Sequence, residues 1–150
     1  MGIPESERNR WLKAVWLHDA LRDAPEAELE RLAPSIPGPV ELKHGPASAS
    51  RAKAEGENDR GVLDAVRYHS FGLAEWDMVG RVLYCADFLE PGRPDRKIER
   101  QVLADRFPAD PPGVLHEVAK LRLQLLVRAG REIPQTTWRF WNNLARSSAP

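Results

Sequence analysis

The sequence predicts an all-α protein of about seven or eight helices. Two observations carry that expectation. Apolar residues recur at three- and four-residue spacing along most of the chain, and no stretch shows strand-like alternation. Proline- and glycine-rich clusters interrupt the pattern at helix-length intervals, as at Pro34 to Pro39, Pro91 to Pro94 and Pro108 to Gly113. At 150 residues and 42% hydrophobic content, the chain suits one domain, residues 1–150, with a proper core. No internal repeat is visible.

The elements follow in order. Ser6 or Asn9 can cap a first helix running to about Arg22, with Trp11, Leu12, Val15 and Trp16 at helical spacing. Pro25 to Ala33 suits a short acidic helix, broken by Pro34, Pro37, Gly38 and Pro39. Pro46 fits the first turn of a helix ending near Gly56. Asn58 or Asp59 caps the next helix, which carries Val62, Leu63 and Val66 and ends around His69. Another helix is expected from about Glu75 to Leu89, with Val79, Val82, Leu83 and Ala86, until Pro91-Gly92-Arg93-Pro94 stops it. Asp95 to about Phe107 and Val114 to Ala129 are the next two. Pro134 to Arg146 closes the chain, with Trp138 and Trp141 expected to face inward and Ser147 to Pro150 expected to fray.

Composition narrows the function. There are 22 basic and 22 acidic side chains, so nothing marks a nucleic-acid surface. A phosphate-bearing small substrate stays open, because a bound metal can supply local positive charge. With Cys85 alone, neither an internal disulfide nor a cysteine zinc cage can form, which favours a reducing compartment. Met1 to Arg10 has no apolar signal core, and no run approaches the ~18 apolar residues of a membrane helix. The expectation is a cytoplasmic protein without membrane or nucleic-acid partners, with a homodimer left open.

The most informative positions break the helical pattern. On the first helix, Leu12, Val15 and Trp16 are expected to face the core, and their next position is Asp19; His18 bears the same relation to Trp11, Ala14 and Val15. On the fourth segment, Val62, Ala65 and Val66 lead to His69, and on the fifth, Gly80, Leu83 and Tyr84 lead to Asp87. A lone inward histidine is more often a hydrogen-bonded core residue, and a lone inward aspartate a cap or an ion pair. Several together on separate helices are best explained by one cation, which neutralises the carboxylates and uses the imidazole lone pairs. His44 precedes its helix and is weaker on pattern alone. His116 falls off the stripe of Val114, Val118, Leu121 and Leu125 and is expected at the surface.

These residues carry a family resemblance. Ala14-Val15-Trp16-Leu17-His18-Asp19, His44-Gly45-Pro46, Ala65-Val66-Arg67-Tyr68-His69-Ser70, and Leu83-Tyr84-Cys85-Ala86-Asp87 with its Glu90-Pro91-Gly92-Arg93 tail stand in the order of the HD-domain metal-dependent phosphohydrolases. Within that superfamily the chain most resembles the YqeK-type symmetrical bis(5'-nucleosyl)-tetraphosphatases, over about Arg10 to Leu144. The resemblance implies an HD-domain helical bundle with metal ligation by His18, Asp19, His44, His69 and Asp87. It implies two divalent metal ions, commonly iron, with Asp19 as the bridging and catalytic carboxylate. It also implies a dinucleoside polyphosphate substrate, typically diadenosine tetraphosphate cut at its centre to two ADP. Arg22, Arg67, Ser70 and Arg93 are the expected substrate-binding residues, Arg22 also serving catalysis.

Three departures stand out. Arg22 occupies a position where the family commonly has lysine, and it keeps the charge and a fork suited to phosphate. Ser70 and Phe71 stand where the family often has threonines; only Ser70 keeps a hydroxyl. The family's first histidine ligand lies on a helix well before the His-Asp pair, and no histidine precedes His18 here. An N-terminally truncated domain is the expectation, with an apolar surface exposed beside His18 and Trp16 and less stability than an extended chain. Two other functions remain open: another HD-type nucleotide phosphohydrolase, or a non-catalytic metal- or nucleotide-binding module.

Overall fold

The computed structural model describes residues 2–148 and is all-helical, with no strand among the described residues. Eight α-helices follow one another: α1 Glu5–His18, α2 Glu26–Leu32, α3 His44–Ala54, α4 Arg60–Tyr68, α5 Met78–Leu89, α6 Lys97–Arg106, α7 Pro111–Arg128 and α8 Gln135–Ser147. A 3₁₀ turn, Val40–Lys43, leads directly into α3. None of these helices is long and apolar enough to cross a membrane. Of the expected frayed tail, Ser147 ends α8 and Ser148 caps it, while Ala149 and Pro150 lie outside the described residues.

The chain forms two compact units. The first comprises residues 2–70 and 76–83. There α3 packs on α4 and α1 on both, around Ala14, Ala49, Val62, Ala65, Val66, Val79 and Leu83, with Trp11 and Leu17 against them. A second cluster, Leu21, Leu29, Ala33 and Ala47, seats α2 on α3. The second unit comprises residues 71–75 and 84–148, where α7 packs against α6 and α8. Its core includes Tyr84, Val114, Val118 and Phe140, and the Tyr84 ring meets Phe140 edge-on at 5.3 Å.

Several boundaries differ from expectation. α1 begins after Pro4, so Ser6 and Asn9 lie inside it and cap nothing. It ends at His18 rather than near Arg22, because the Leu21 N–H donates to the Ser48 hydroxyl on α3 at 3.3 Å, and turns of the i→i+3 kind carry Asp19 to Ala24. A tertiary bond replaces the helical ladder there. α5 begins at Met78, and the Asp77 carboxylate accepts from the Val79 N–H at 3.0 Å. α7 begins at Pro111, one residue after its cap Asp110, whose side chain accepts from the Gly113 N–H.

Some inward assignments are also overturned. Leu12, Val15 and Trp16 are 52%, 48% and 82% exposed; α1 buries Ala14, with Trp11, Leu17 and His18 partly covered. Apolar residues lie on both sides of this helix, so periodicity alone did not select the buried side. Trp138 is 55% exposed, and Leu125 and Ala86 are exposed too. His116 is half-buried and stacks on Trp141 at 5.0 Å, so it is not simply a surface residue.

Arg10 ties the first unit together. Its guanidinium donates to both Asp59 oxygens at 2.6 and 2.9 Å, to Asp77 at 2.8 Å and to Glu7 at 2.8 Å. Asp59 meanwhile caps α4, accepting from the Val62 N–H at 3.1 Å. Gly61 borders this cluster; a Cβ there would collide with the Asp77 carboxylate and the Arg10 guanidinium. The Arg10 bond, first among the causes, holds the Asp59 carboxyl at about 2. A depressed carboxyl contributes stability that is present above its unfolded value near pH ~4 and is lost as pH falls toward its folded value. Asp59→Ala is therefore expected to lower unfolding stability at pH 6 by about 1–3 kcal/mol, combining a lost cap and a half-buried ion pair. The loss should shrink as pH falls toward ~2, in urea titrations repeated at each pH.

Candidate metal centre

Three helix ends in the first unit converge. His18 is the last residue of α1 and Asp19 its cap, His44 opens α3, and His69 caps α4. Each histidine makes the same local bond. Nδ1 faces the carbonyl oxygen three residues earlier: His18 on Val15 at 2.7 Å, His44 on Glu41 at 2.5 Å, His69 on Val66 at 2.7 Å. A carbonyl only accepts, so each Nδ1 carries a hydrogen, and in the neutral ring Nε2 then presents a lone pair.

All three Nε2 atoms gather on one carboxylate. They stand 3.4 Å (His18), 3.3 Å (His44) and 3.8 Å (His69) from Asp19 oxygens. The Nε2 atoms of His44 and His69 are 3.0 Å apart. Converging lone pairs repel one another unless a positive charge sits among them. With protons on the imidazoles in place of a cation, the bond from His44 first, and then the charge of the rings, would hold the Asp19 carboxyl well below the usual carboxylate range, against burial, which raises it; a bound cation would supply the same positive charge. Ligand atoms of Asp19, His44 and His69 lie within 4.8 Å of one another. Neutral imidazoles plus a carboxylate, with the second ring nitrogen tied to a backbone carbonyl, is a donor set that fits Fe, Mn or Zn.

Local sequence explains the seating. His69 is 1% exposed behind Val62, Ala65 and Val66, all fully buried, as its helical register requires. Gly45 lets α3 approach: a Cβ there would stand 2.9 Å from the Val66 carbonyl oxygen and 3.0 Å from the His69 ring. Asp19 reaches the centre for a different reason from the one expected. It does not extend the Leu12-Val15-Trp16 face, which is exposed; the turn after α1 delivers it. Arg22 lies in that same turn, not on the helix, with Nη1 3.3 Å from Asp19 and its side chain 60% exposed. Arg67 on α4 and Ser70 just after it are half-buried.

Asp87 belongs to the second unit, near the end of α5, and is held there by two arginines. Arg93 donates from Nε to the Asp87 carbonyl at 3.0 Å and from Nη2 to Oδ1 at 3.1 Å. Arg122 of α7 donates to Oδ2 at 3.0 Å. Arg122 went unremarked in the sequence, though the same pattern rule finds it. It follows Leu115, Val118 and Ala119 by seven, four and three residues, and all three are buried. Next to Asp87, burial pushes the Cys85 thiol up to about 12, which leaves it an inert core residue.

The helical fold is shared with a solved HD-superfamily structure, and the donor set of Asp19, His44 and His69 suits a divalent metal. A solved Clostridium acetobutylicum structure, described as a predicted HD superfamily hydrolase involved in NAD metabolism, superposes with a TM-score of 0.76 at 20% identity, covering 90% of this chain and 75% of that one. In sequence the chain is related to proteins named symmetrical bis(5'-nucleosyl)-tetraphosphatase. It is 32% identical to the Bacillus subtilis protein over 88 residues, which is 53% of this chain and 47% of that protein. The Staphylococcus aureus protein is 39% identical over 54 residues, 35% of this chain and 28% of its own length. The Halalkalibacterium halodurans protein is 33% identical over 61 residues, 40% and 33% respectively. The matches thus span less than half of each relative. No family model matches the chain. In sequence and fold the chain is thus similar to HD-domain proteins of YqeK-like type.

Proposed function

We propose that the chain is a metal-dependent hydrolase of dinucleoside polyphosphates that cuts diadenosine tetraphosphate symmetrically to two ADP. The observation that carries this reading is the convergence of three imidazole Nε2 atoms on Asp19. The names of the sequence relatives support the substrate class. His18, Asp19, His44, His69 and Asp87 would hold the metal, two ions with iron first among the candidates. Bound divalent metal supplies Lewis acidity toward a phosphoryl group and activates water near neutral pH.

The chain's own residues do the rest. Carbonyl bonds at Nδ1 fix which ring nitrogen each histidine offers. Arg22 stands beside Asp19 with much of its guanidinium in solvent, where it can grip phosphate oxygens in a fork. Arg67, Ser70 and Arg93 are further candidates for substrate contacts. The domain is read as a single HD-type unit of function in the cytoplasm, with a homodimer left open.

The test is product analysis after loading with Fe²⁺ or Mn²⁺. Diadenosine tetraphosphate should give ADP alone; ATP plus AMP would overturn the symmetric reading. The NAD-related description of the structural neighbour favours a second reading, a different nucleotide phosphohydrolase, which a substrate panel separates. Stoichiometric metal without turnover on any nucleotide would favour a binding module.

A further inference from the structure

A half-buried arginine of α7 carries an inference beyond the ligand set. Arg122 is far from Asp87 in sequence, yet its Nη2 donates to Asp87 Oδ2 at 3.0 Å and to the Tyr84 carbonyl at 3.1 Å. Its guanidinium carbon lies 4.3 Å from the centre of the Tyr84 ring and 5.3 Å from that of Phe88. The side chains of Arg122 and Asp87 are only 17% and 10% exposed. One face of α7 is thereby locked onto one carboxylate. For packing alone, an apolar residue of similar length would avoid the cost of desolvating a guanidinium.

We propose that Arg122 is the positioning residue for Asp87, holding its carboxylate in one rotamer so that it meets a divalent cation in a fixed orientation. The proposal rests on the reading of Asp87 as a metal ligand. Arg93 steadies the same group from the adjoining turn, where one residue's carbonyl and carboxylate share its guanidinium. Arg122 alone brings a second helix, and two aromatic rings, to bear on that orientation.

The experiment measures Mn²⁺ affinity of the whole chain by equilibrium dialysis with elemental analysis, alongside thermal midpoints of the metal-free proteins. The variants are R122Q, R122K, D87N and D87N with R122Q. R122Q should weaken Mn²⁺ binding by about ten- to hundredfold, as loss of an outer partner does. R122K should fall between R122Q and the parent. Added to D87N, R122Q should cause no further loss, because it acts through Asp87. Unchanged affinity in R122Q, or a full additional loss in the D87N background, overturns the positioning role while leaving Asp87 a ligand if D87N itself binds weakly. Unchanged affinity in D87N, or no Mn²⁺ binding by the parent, removes the ligand reading and this proposal with it. If R122Q does not fold, R122K decides: weaker binding that vanishes in the D87N background supports the role, and parental affinity overturns it.

Discussion

Asp19→Asn is expected to lower divalent-metal affinity by more than about a hundredfold, since even outer partners of a metal ligand are worth about ten- to hundredfold. Asparagine keeps the shape and one carbonyl oxygen but removes the charge on which three imidazole nitrogens converge. It also sets an amide N–H₂ among them or turns it away, and either choice leaves fewer negative donors for a cation. Titration calorimetry with Mn²⁺ or Fe²⁺ checks the affinity, and far-UV spectra check that the helices persist. Hydrolysis should fall with metal occupancy and recover little at high metal, because the residue is both ligand and proposed catalytic group. A variant that binds metal like the parent would sink the reading of this centre.

The second large effect is expected at Gly45. Gly45→Ala places a methyl 2.9 Å from the Val66 carbonyl oxygen and 3.0 Å from the His69 ring. That carbonyl is the acceptor for His69 Nδ1, so a single methyl presses on the ring and on the group that fixes its tautomer. α3 must move away from α4, a cost of about 1–3 kcal/mol for an overpacked contact. Alanine's better helix propensity returns at most about 1 kcal/mol. The net expectation is a less stable protein with weaker metal binding, seen in urea unfolding and metal titration together. A more stable variant with unchanged metal affinity would show that the close approach of α3 is not what seats His69.

Three aspartates and His69 show how far the sequence can be read. His69 and Asp87 each follow a run of apolar residues in helical register, and the residues of those runs are buried as the pattern requires. Asp59 was legible as a cap because its chemistry is local, a side chain accepting from an N–H three residues on. Asp19 was singled out for a face that is exposed, and it reaches the centre because α1 stops at His18. Periodicity says which residues share a face; it does not say which face turns inward when a helix is apolar on both. Arg122 obeys the same rule, following buried Leu115, Val118 and Ala119, but as a cation it is no metal ligand and its role depends on Asp87.

The sequence by itself determined the helical class, most of the breaks between helices, and the residue types that a metal centre requires. Those features depend on local chemistry: side-chain spacing, proline and glycine, and capping carboxylates. Only the tertiary structure decided where α1 ends, since the Leu21 N–H is taken by Ser48 on another helix. It also decided that three Nε2 atoms meet on Asp19, that α3 can approach His69 only over Gly45, and that Arg122 bears on Asp87. Each of these joins residues distant in the chain, and their energies arise from packing and desolvation that no local pattern encodes.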